Sequence, residues 1–236
     1  MAKYNIAQLS KFIDHTNLKA NATSNDILRL CDEAKKYNFA SVCFNQVKSC
    51  VAANELRETG IKACSVIGFP LGQTSINSKI CETKDALNNG ANEIDYVINI
   101  SEAKEGNWDY IQKEMQAIVD ICKGYNIICK AIFENHYLTK DEIKKLCDIA
   151  AIVKPGFVKT STGTTPGGAT AEDIALMASS TPAEVLVKAS GGIRDADTFV
   201  EMIKQGASRI GASASIAIIE EIKVKYFSNG EEYLEI

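Results

Sequence analysis

The chain predicts an α/β protein: a single-domain (β/α)8 TIM barrel spanning residues 1–236. Three observations lead there. Short apolar runs alternate with segments of helical period, and eight such pairs fit along the chain. No low-complexity linker divides them. The length of 236 residues lies close to the roughly 250 that a closed barrel of eight strand–helix units occupies. Strands alternating with helices imply parallel pairing with right-handed crossovers. A doubly wound open sheet is the other solution, but its nucleotide-binding form wants G-x-G-x-x-G after the first strand, and no glycine precedes Gly60.

The first apolar run covers 12–16. Its helix opens at Ser24, a natural N-cap, and puts Ile27, Leu30, Cys31 and Ala34 on one face. The second run, 39–45, leads to a helix over about 47–58 with Gly60 as its stop. The third, 62–69, ends in Gly68-Phe69-Pro70-Leu71-Gly72; its helix carries Ile76, Ile80, Thr83 and Leu87 and stops near Gly90. The fourth, 93–99, precedes a long helix with Trp108, Ile111, Met115, Ile118 and Cys122 at helical spacing, ended by Gly124. That stripe reads as core packing, not as a cofactor site. After the fifth run, 127–134, Thr139 and Glu142 form a capping-box pattern, and Ile143, Leu146, Cys147 and Ala150 form an apolar face. The sixth run, 157–163, precedes a helix from near Thr170. The seventh, 185–190, ends in Gly191-Gly192-Ile193-Arg194 and precedes a helix over 195–205. The eighth, 209–213, leads to a last helix over about 215–225.

Hydrophobic residues make up 46% and charged residues 24%, which is enough for an ordinary core. A net charge of −4 forces no basic surface, so nucleic acid is not an expected partner. The N-terminus has no apolar signal core and no run of 18 apolar residues occurs, so the reading is a soluble, cytoplasmic protein without membrane contact. The eight cysteines include no C-x-x-C pair and read as small buried hydrophobes in a reducing compartment. His15 and His136 are the only histidines, without H-x-H or H-E-x-x-H, so no metal site is expected. His15 reads as a hydrogen-bonded residue at a strand end.

In a barrel the chemistry belongs at the C-terminal ends of the strands. Polar residues interrupt the apolar runs there: Asp14 in the first, Asp95 in the fourth, Lys130 and Glu134 in the fifth, Lys159 in the sixth and Lys188 in the seventh. A lysine in an apolar strand is paired, reaches water or is chemically employed, because desolvating an ammonium is costly. Strand alternation puts Phe157, Lys159 and Ser161 on one face, Leu186, Lys188 and Ser190 on another, and Asp95, Val97 and Asn99 on a third. If these faces point inward, Lys159 and Lys188 meet near the axis. Burial and a neighbouring cation each lower a lysine's pKa, and a neutral amine attacks a carbonyl to form a Schiff base. The protonated imine is an electron sink that lets a carbon–carbon bond break or form, with Asp95 as the proton-transfer group, directly or through a water. Structural ion pairing is the competing reading, and spacing does not choose between them. Gly163, Gly191, Gly192 and Gly211 read as turns after the sixth, seventh and eighth runs, where barrels often bind phosphate on backbone N–H groups. Ser213 and Arg194 could add donors. One such glycine reads simply as a tight turn; three turns in adjacent units, beside lysines, favour a phosphate site.

Six stretches carry a resemblance. They are Asp14-His15-Thr16, Val66-Ile67-Gly68-Phe69-Pro70-Leu71-Gly72 and Asn92-Glu93-Ile94-Asp95-Tyr96-Val97-Ile98-Asn99. They continue with Phe157-Val158-Lys159-Thr160-Ser161-Thr162-Gly163, Val187-Lys188-Ala189-Ser190-Gly191-Gly192-Ile193-Arg194 and Gly206-Ala207-Ser208-Arg209-Ile210-Gly211. Through them the sequence resembles the deoxyribose-phosphate aldolases over nearly its whole length. The lysine pair in its two strand contexts is the specific part; the glycine-rich pieces alone are not. The resemblance implies a class I aldolase that reversibly cleaves 2-deoxy-D-ribose 5-phosphate to D-glyceraldehyde 3-phosphate and acetaldehyde, with no metal and no organic cofactor. It implies phosphorylated sugar and aldehyde substrates, and homodimers are common among such enzymes. It implies that Lys159 is the Schiff-base lysine, Lys188 the lysine that tunes it, and Asp95 the proton-transfer group. Lys130 would support the polar network, and Asp14 and Cys43 would line the pocket. Gly163, Gly191, Gly192, Gly211 and Ser213 would bind phosphate.

Three positions depart from the family pattern. Asn135 stands where a threonine is usual after Glu134, Pro166 stiffens the turn after Gly163, and Ala214 replaces a second serine after Ser213. Some members carry a C-terminal tyrosine thought to reach the site, and Tyr233 is the tyrosine of this tail. Three other readings compete. One is an imine aldolase acting on another phosphorylated sugar. Another is a barrel phospho-sugar isomerase using carboxylate proton transfer without an imine, which has no need of paired inward lysines. The third is a barrel that only binds sugar phosphates.

Overall fold

The computed structural model describes residues 2–228 and 230–236. In chain order the first elements are β1 (Lys3–Tyr4), α1 (Ile6–Ser10), β2 (Ile13–Asn17), α2 (Ser24–Tyr37), β3 (Ser41–Asn45) and α3 (Ser49–Glu55). There follow β4 (Lys62–Ile67), α4 (Ile76–Asn88), β5 (Glu93–Val97), α5 (Ile100–Lys104), α6 (Trp108–Gly124), β6 (Ile128–Ile132) and α7 (Lys140–Val153). The last are β7 (Phe157–Lys159), α8 (Ala171–Ser180), β8 (Leu186–Ser190), α9 (Ala196–Lys204), β9 (Ala207–Ala212), α10 (Ser215–Tyr226) and β10 (Leu234–Glu235). Strands β2 to β9 form one closed parallel barrel in sequence order, with β9 pairing back onto β2. This is the (β/α)8 barrel that the eight runs predict.

The two-residue period of the strands separates two interiors. Outward residues such as Val42, Phe44, Ile94, Tyr96, Val158 and Ile210 pack with helix residues such as Ile27, Ile111, Met115, Ile118 and Leu146 in one apolar core between barrel and helices. Inside the barrel, Cys43, Cys64 and Val66 form a small apolar cluster of their own. Charged residues share that interior with Val97, Ile132 and Phe157: Asp14, Glu93, Asp95, Lys130, Lys159 and Lys188 are all at most 2% exposed.

Local differences from the expectations have local causes. The N-cap of α2 is Thr23, not Ser24, because Thr23 exchanges two hydrogen bonds with Asp26 in a capping box. The helix expected over 47–58 is a 3-10 turn (Gln46–Lys48) followed by the short α3. Strand β7 is only three residues long, shorter than its apolar run. Two five-residue helices, α1 and α5, are too short for periodicity to reveal. Cys50 and Cys81 are exposed, unlike the other six cysteines.

The termini form a pairing that no periodicity announced. β1 and β10 are antiparallel partners, and Ala2 and Ile236 exchange backbone hydrogen bonds of 2.7 and 2.9 Å. The tail with Tyr233 is thus tied to the segment that leads into the start of β2. Behind β5 lies a fully buried ion pair, Lys79–Glu114, at 2.6 Å. Lys79 Nζ also donates to Val97 O at 2.8 Å, and Asn99 N donates to Glu114 Oε2 at 2.9 Å. This pair fastens α4 and α6 to the end of β5.

Candidate active site

Register explains why the charged residues converge. Lys159 and Lys188 are direct partners on β7 and β8, as are Asp95 and Lys130 on β5 and β6. Paired residues in neighbouring strands point the same way. Asp95 is the hub. Its Oδ2 accepts from Lys159 Nζ at 2.8 Å and from Lys188 Nζ at 2.7 Å. Its Oδ1 accepts from Lys130 Nζ at 2.7 Å and from the Cys64 thiol at 3.1 Å. Lys130 also donates to Glu93 at 2.6 Å, and Lys188 is ion-paired with Asp14. Arg209 closes the circuit on Asp14 Oδ1 at 2.6 Å and lies 3.6 Å from Glu93.

This packing sets the charges. Burial alone would raise the Asp95 carboxyl, but Lys130, Lys159 and Lys188 hold it well below the ordinary carboxylate range. Asp14 is likewise pulled down against its burial, by Lys188, Arg209 and Lys130. Burial would lower Lys188, but Asp14 and Asp95 raise it above the ordinary lysine range. The lowering expected at Lys188 from a neighbouring lysine is therefore overturned: two carboxylates at contact outweigh burial and the nearby cation. Lys130 is raised for the same reason, against its burial, chiefly by Asp95.

A cavity of about 500 Å³ opens at the C-terminal ends of β2, β7, β8 and β9. Of the three lysines on Asp95, only Lys159 lines it. Asp14 and Cys43, expected in the pocket wall, are fully buried and do not line it. Gly163, Gly191, Gly192, Gly211, Ser213 and Arg194 all do. Tyr233 does not.

Close approach accounts for the glycines. Gly191, at φ 87°, lies so near that a Cβ there would stand 3.0 Å from Gly168 Cα and 3.5 Å from Gly163 Cα. Ala169 N donates to Gly191 O at 3.1 Å. The segments after β7 and β8 are thus stacked backbone on backbone. Gly211 is not the turn residue that the sequence suggested. It lies inside β9, where a Cβ would come 3.1 Å from Ser190 Cβ and 3.2 Å from Lys188 Cε. It makes room for a lysine.

The hydroxyls after Lys159 extend the ladder where β7 stops. Ser190 N donates to Thr160 Oγ1 at 3.1 Å, and Thr160 Oγ1 donates to Ser190 O at 3.2 Å. Asn135 Nδ2 donates to Met177 Sδ at 3.4 Å. His15 is hydrogen-bonded to Glu33 at 2.7 Å, as its strand-end position suggested.

Sequence reasoning missed Glu93, Arg209 and Cys64 as members of the network. The signal was the same alternation: Glu93 is two residues before Asp95, and Arg209 two before Gly211. Ligand atoms of Cys43, Cys64 and Asp95 lie within 4.8 Å of one another. Asp95 already carries three ammonium groups there, which opposes a cation at the same oxygens.

Fold and site together define a barrel with a buried lysine–carboxylate cluster, one amine of which opens on a glycine-walled cavity. The model of the DeoC/LacD family of aldolases matches residues 9–224. The chain is 51% identical over 234 residues to a deoxyribose-phosphate aldolase of Lactobacillus acidophilus, covering 99% of both. It is 48% identical over 214 residues to one of Thermoanaerobacter sp., covering 90% of this chain and 96% of the other. A solved structure of a putative deoxyribose-phosphate aldolase from Coccidioides immitis superposes with a TM-score of 0.89 at 37% identity, over 94% of this chain and 88% of that one. A deoxyribose phosphate aldolase from Aeropyrum pernix, described as a unique tetramer, gives 0.87 at 32% identity over 92% of each. The chain belongs to the DeoC/LacD family of aldolases, and it is an enzyme of the carbon–carbon lyase class. Among the described residues no helix is long and apolar enough to cross a membrane.

Proposed function

We propose that the chain is a class I aldolase that reversibly cleaves 2-deoxy-D-ribose 5-phosphate to D-glyceraldehyde 3-phosphate and acetaldehyde through an imine on Lys159. The observation that carries this reading is that Lys159 alone of the Asp95-bound lysines reaches the cavity. In the cluster, Lys130, Lys159, Lys188 and Arg209 face the carboxylates of Asp14, Glu93 and Asp95. One amine can therefore be neutral without leaving a carboxylate unpaired. The Lys159 amine attacks the C1 carbonyl of the open-chain sugar, and loss of water gives the iminium. Removal of the proton on the C3 hydroxyl then breaks the C2–C3 bond. The electron pair moves into the iminium as an enamine, and glyceraldehyde 3-phosphate leaves. Protonation at C2 and hydrolysis release acetaldehyde and restore the amine.

In this reading Asp95 moves protons, because one oxygen touches both Lys159 and Lys188. Lys188 stays cationic between Asp14 and Asp95 and supplies the proton balance of the site. Lys130 fixes Asp95 from the other side, and Asp14 and Cys43 support the floor. The backbone turns at Gly163, Gly191 and Gly192, together with Gly211, Ser213 and Arg194, take the phosphate. Residues 1–236 act as one domain, in the cytoplasm. A homodimer belongs to the same reading, and light scattering separates it from a tetramer like that described for the Aeropyrum pernix relative.

The test is borohydride reduction in the presence of acetaldehyde, followed by peptide mass mapping. An added ethyl group at Lys159, absent in Lys159→Leu, is expected. An adduct found only elsewhere overturns the role assignment. Turnover retained after borohydride treatment favours proton-transfer isomerisation instead.

A further inference from the structure

Glu134 is a buried carboxylate that the imine chemistry leaves unused, 1% exposed. It follows β6 in the left-handed region, at φ 59° and ψ 63°, where a residue with a side chain is strained. The kink sends its carboxylate across to the segment after β7. There it accepts from the Thr162 backbone N–H at 3.0 Å, from the Thr162 hydroxyl, and from the Thr165 hydroxyl at 3.2 Å. Among the described residues no lysine or arginine pairs with it. A buried carboxylate is thus held entirely by residues 162–165, and Thr162, Gly163 and Thr164 of that segment line the cavity.

The proton directions follow from the donor inventory. A carboxylate cannot donate, so the Thr162 hydroxyl proton is committed to Glu134. The Thr164 hydroxyl, 2.7 Å from Thr162 Oγ1, is then the donor of that pair, and Thr164 N also donates to Thr162 Oγ1 at 3.2 Å. The Thr162 N–H is thus spent on Glu134 and the Thr164 N–H on Thr162 Oγ1. Between them, Gly163 N–H meets no acceptor among the described residues. Gly163, at φ 85°, stacks on Gly191: a Cβ there would stand 3.8 Å from Gly191 Cα.

We propose that Glu134 is a positioning residue for the phosphate end of the substrate. Its carboxylate draws in Thr162 and Thr165 on either side of Gly163 and leaves the Gly163 N–H as the backbone donor that the cavity-lining residues 162–164 offer to the ligand. The proposal rests on the sugar-phosphate reading of the cavity.

The test compares Glu134→Ala, Glu134→Gln and Thr162→Val on 2-deoxyribose 5-phosphate and on unphosphorylated 2-deoxyribose, with acetaldehyde labelling of Lys159 in parallel. For Glu134→Ala the KM for the phosphorylated sugar should rise at least about tenfold, the scale of losing hydrogen bonds to a charged group. Its kcat, its kcat/KM on 2-deoxyribose and the rate of Lys159 labelling should stay within about threefold. Glu134→Gln, which keeps an acceptor for Thr162, should recover most of the KM. If Glu134→Ala does not fold, Thr162→Val decides on the same readout, since it removes one hydroxyl and leaves the backbone bond. Equal losses on both sugars, or an unchanged KM for the phosphorylated one, overturn the proposal while the phosphate reading stands. Wild-type enzyme with the same KM for both sugars removes the phosphate reading itself, and the proposal with it.

Discussion

Asp95→Asn keeps the shape of a side chain and removes the charge on which three buried ammonium groups converge. Lys130, Lys159 and Lys188 lie 2.7, 2.8 and 2.7 Å from its oxygens. In the variant Lys130 keeps Glu93 and Lys188 keeps Asp14. Lys159 keeps no ion-pair partner among the described residues. An uncompensated buried charge costs about 3–5 kcal/mol. A lysine escapes that cost by shedding its proton, at about 1.4 kcal/mol for each pH unit below roughly 10.4. At pH 7 this sets a ceiling of about 4–5 kcal/mol, so both routes predict a loss of about 3–5 kcal/mol. For a chain of this size the melting temperature should fall by roughly 6–20 °C. The deficit should shrink with rising pH, to about 2 kcal/mol near pH 9, as deprotonation becomes cheaper. The carboxylate itself adds no slope in that window. Its folded pKa lies below its unfolded value, so its stabilisation is complete above about pH 4 and is lost only in acid. The assay is urea or thermal unfolding of both proteins from pH 6 to 9. A variant within about 1 kcal/mol of wild type at pH 7, or a gap that does not narrow by pH 9, refutes the reasoning.

Three further outcomes are expected. Lys188→Leu should still be labelled at Lys159 by acetaldehyde and borohydride, but about tenfold more slowly or worse, because Asp95 loses one of its two Oδ2 partners; labelling at the wild-type rate would deny Lys188 a part in imine formation. Gly72→Ala would place a Cβ 1.9 Å from Ile98 O at φ 68° and should cost about 3 kcal/mol. Gly60→Ala, at φ 77° with nothing within 4 Å, should cost only about 1 kcal/mol of backbone strain, and chemical denaturation of the two variants checks the contrast. Lys79→Met should lose about 3–5 kcal/mol by stranding Glu114, and Lys79→Met with Glu114→Leu should recover part of it on the same measurement.

Much of the site was legible because the strand period is two and the barrel forces one face inward. Lys159, Lys188, Asp95 and Lys130 each interrupt an apolar run, and the three lysines meet at Asp95. Lys79 and Glu114 were not legible, since each stands on a helix where a charged residue ordinarily faces water. The terminal pairing of β1 with β10 escaped because two residues carry no period. Glu134 was visible as a strand-end carboxylate, but its partners lie 28 to 31 residues further along the chain.

The sequence by itself determined the barrel, its eight strand–helix units and which residues share a strand face, because alternation, capping and glycine placement are local properties. Only the tertiary structure decided what those inward residues are to one another. Whether burial or a carboxylate governs Lys188 depends on distances across β2, β5 and β8, and no local pattern encodes them. Likewise the space at Gly211 is taken up by Ser190 and Lys188 of the neighbouring strand. Lys159 is distinguished from its two companions by one tertiary fact: it ends at the cavity, while they end beneath it.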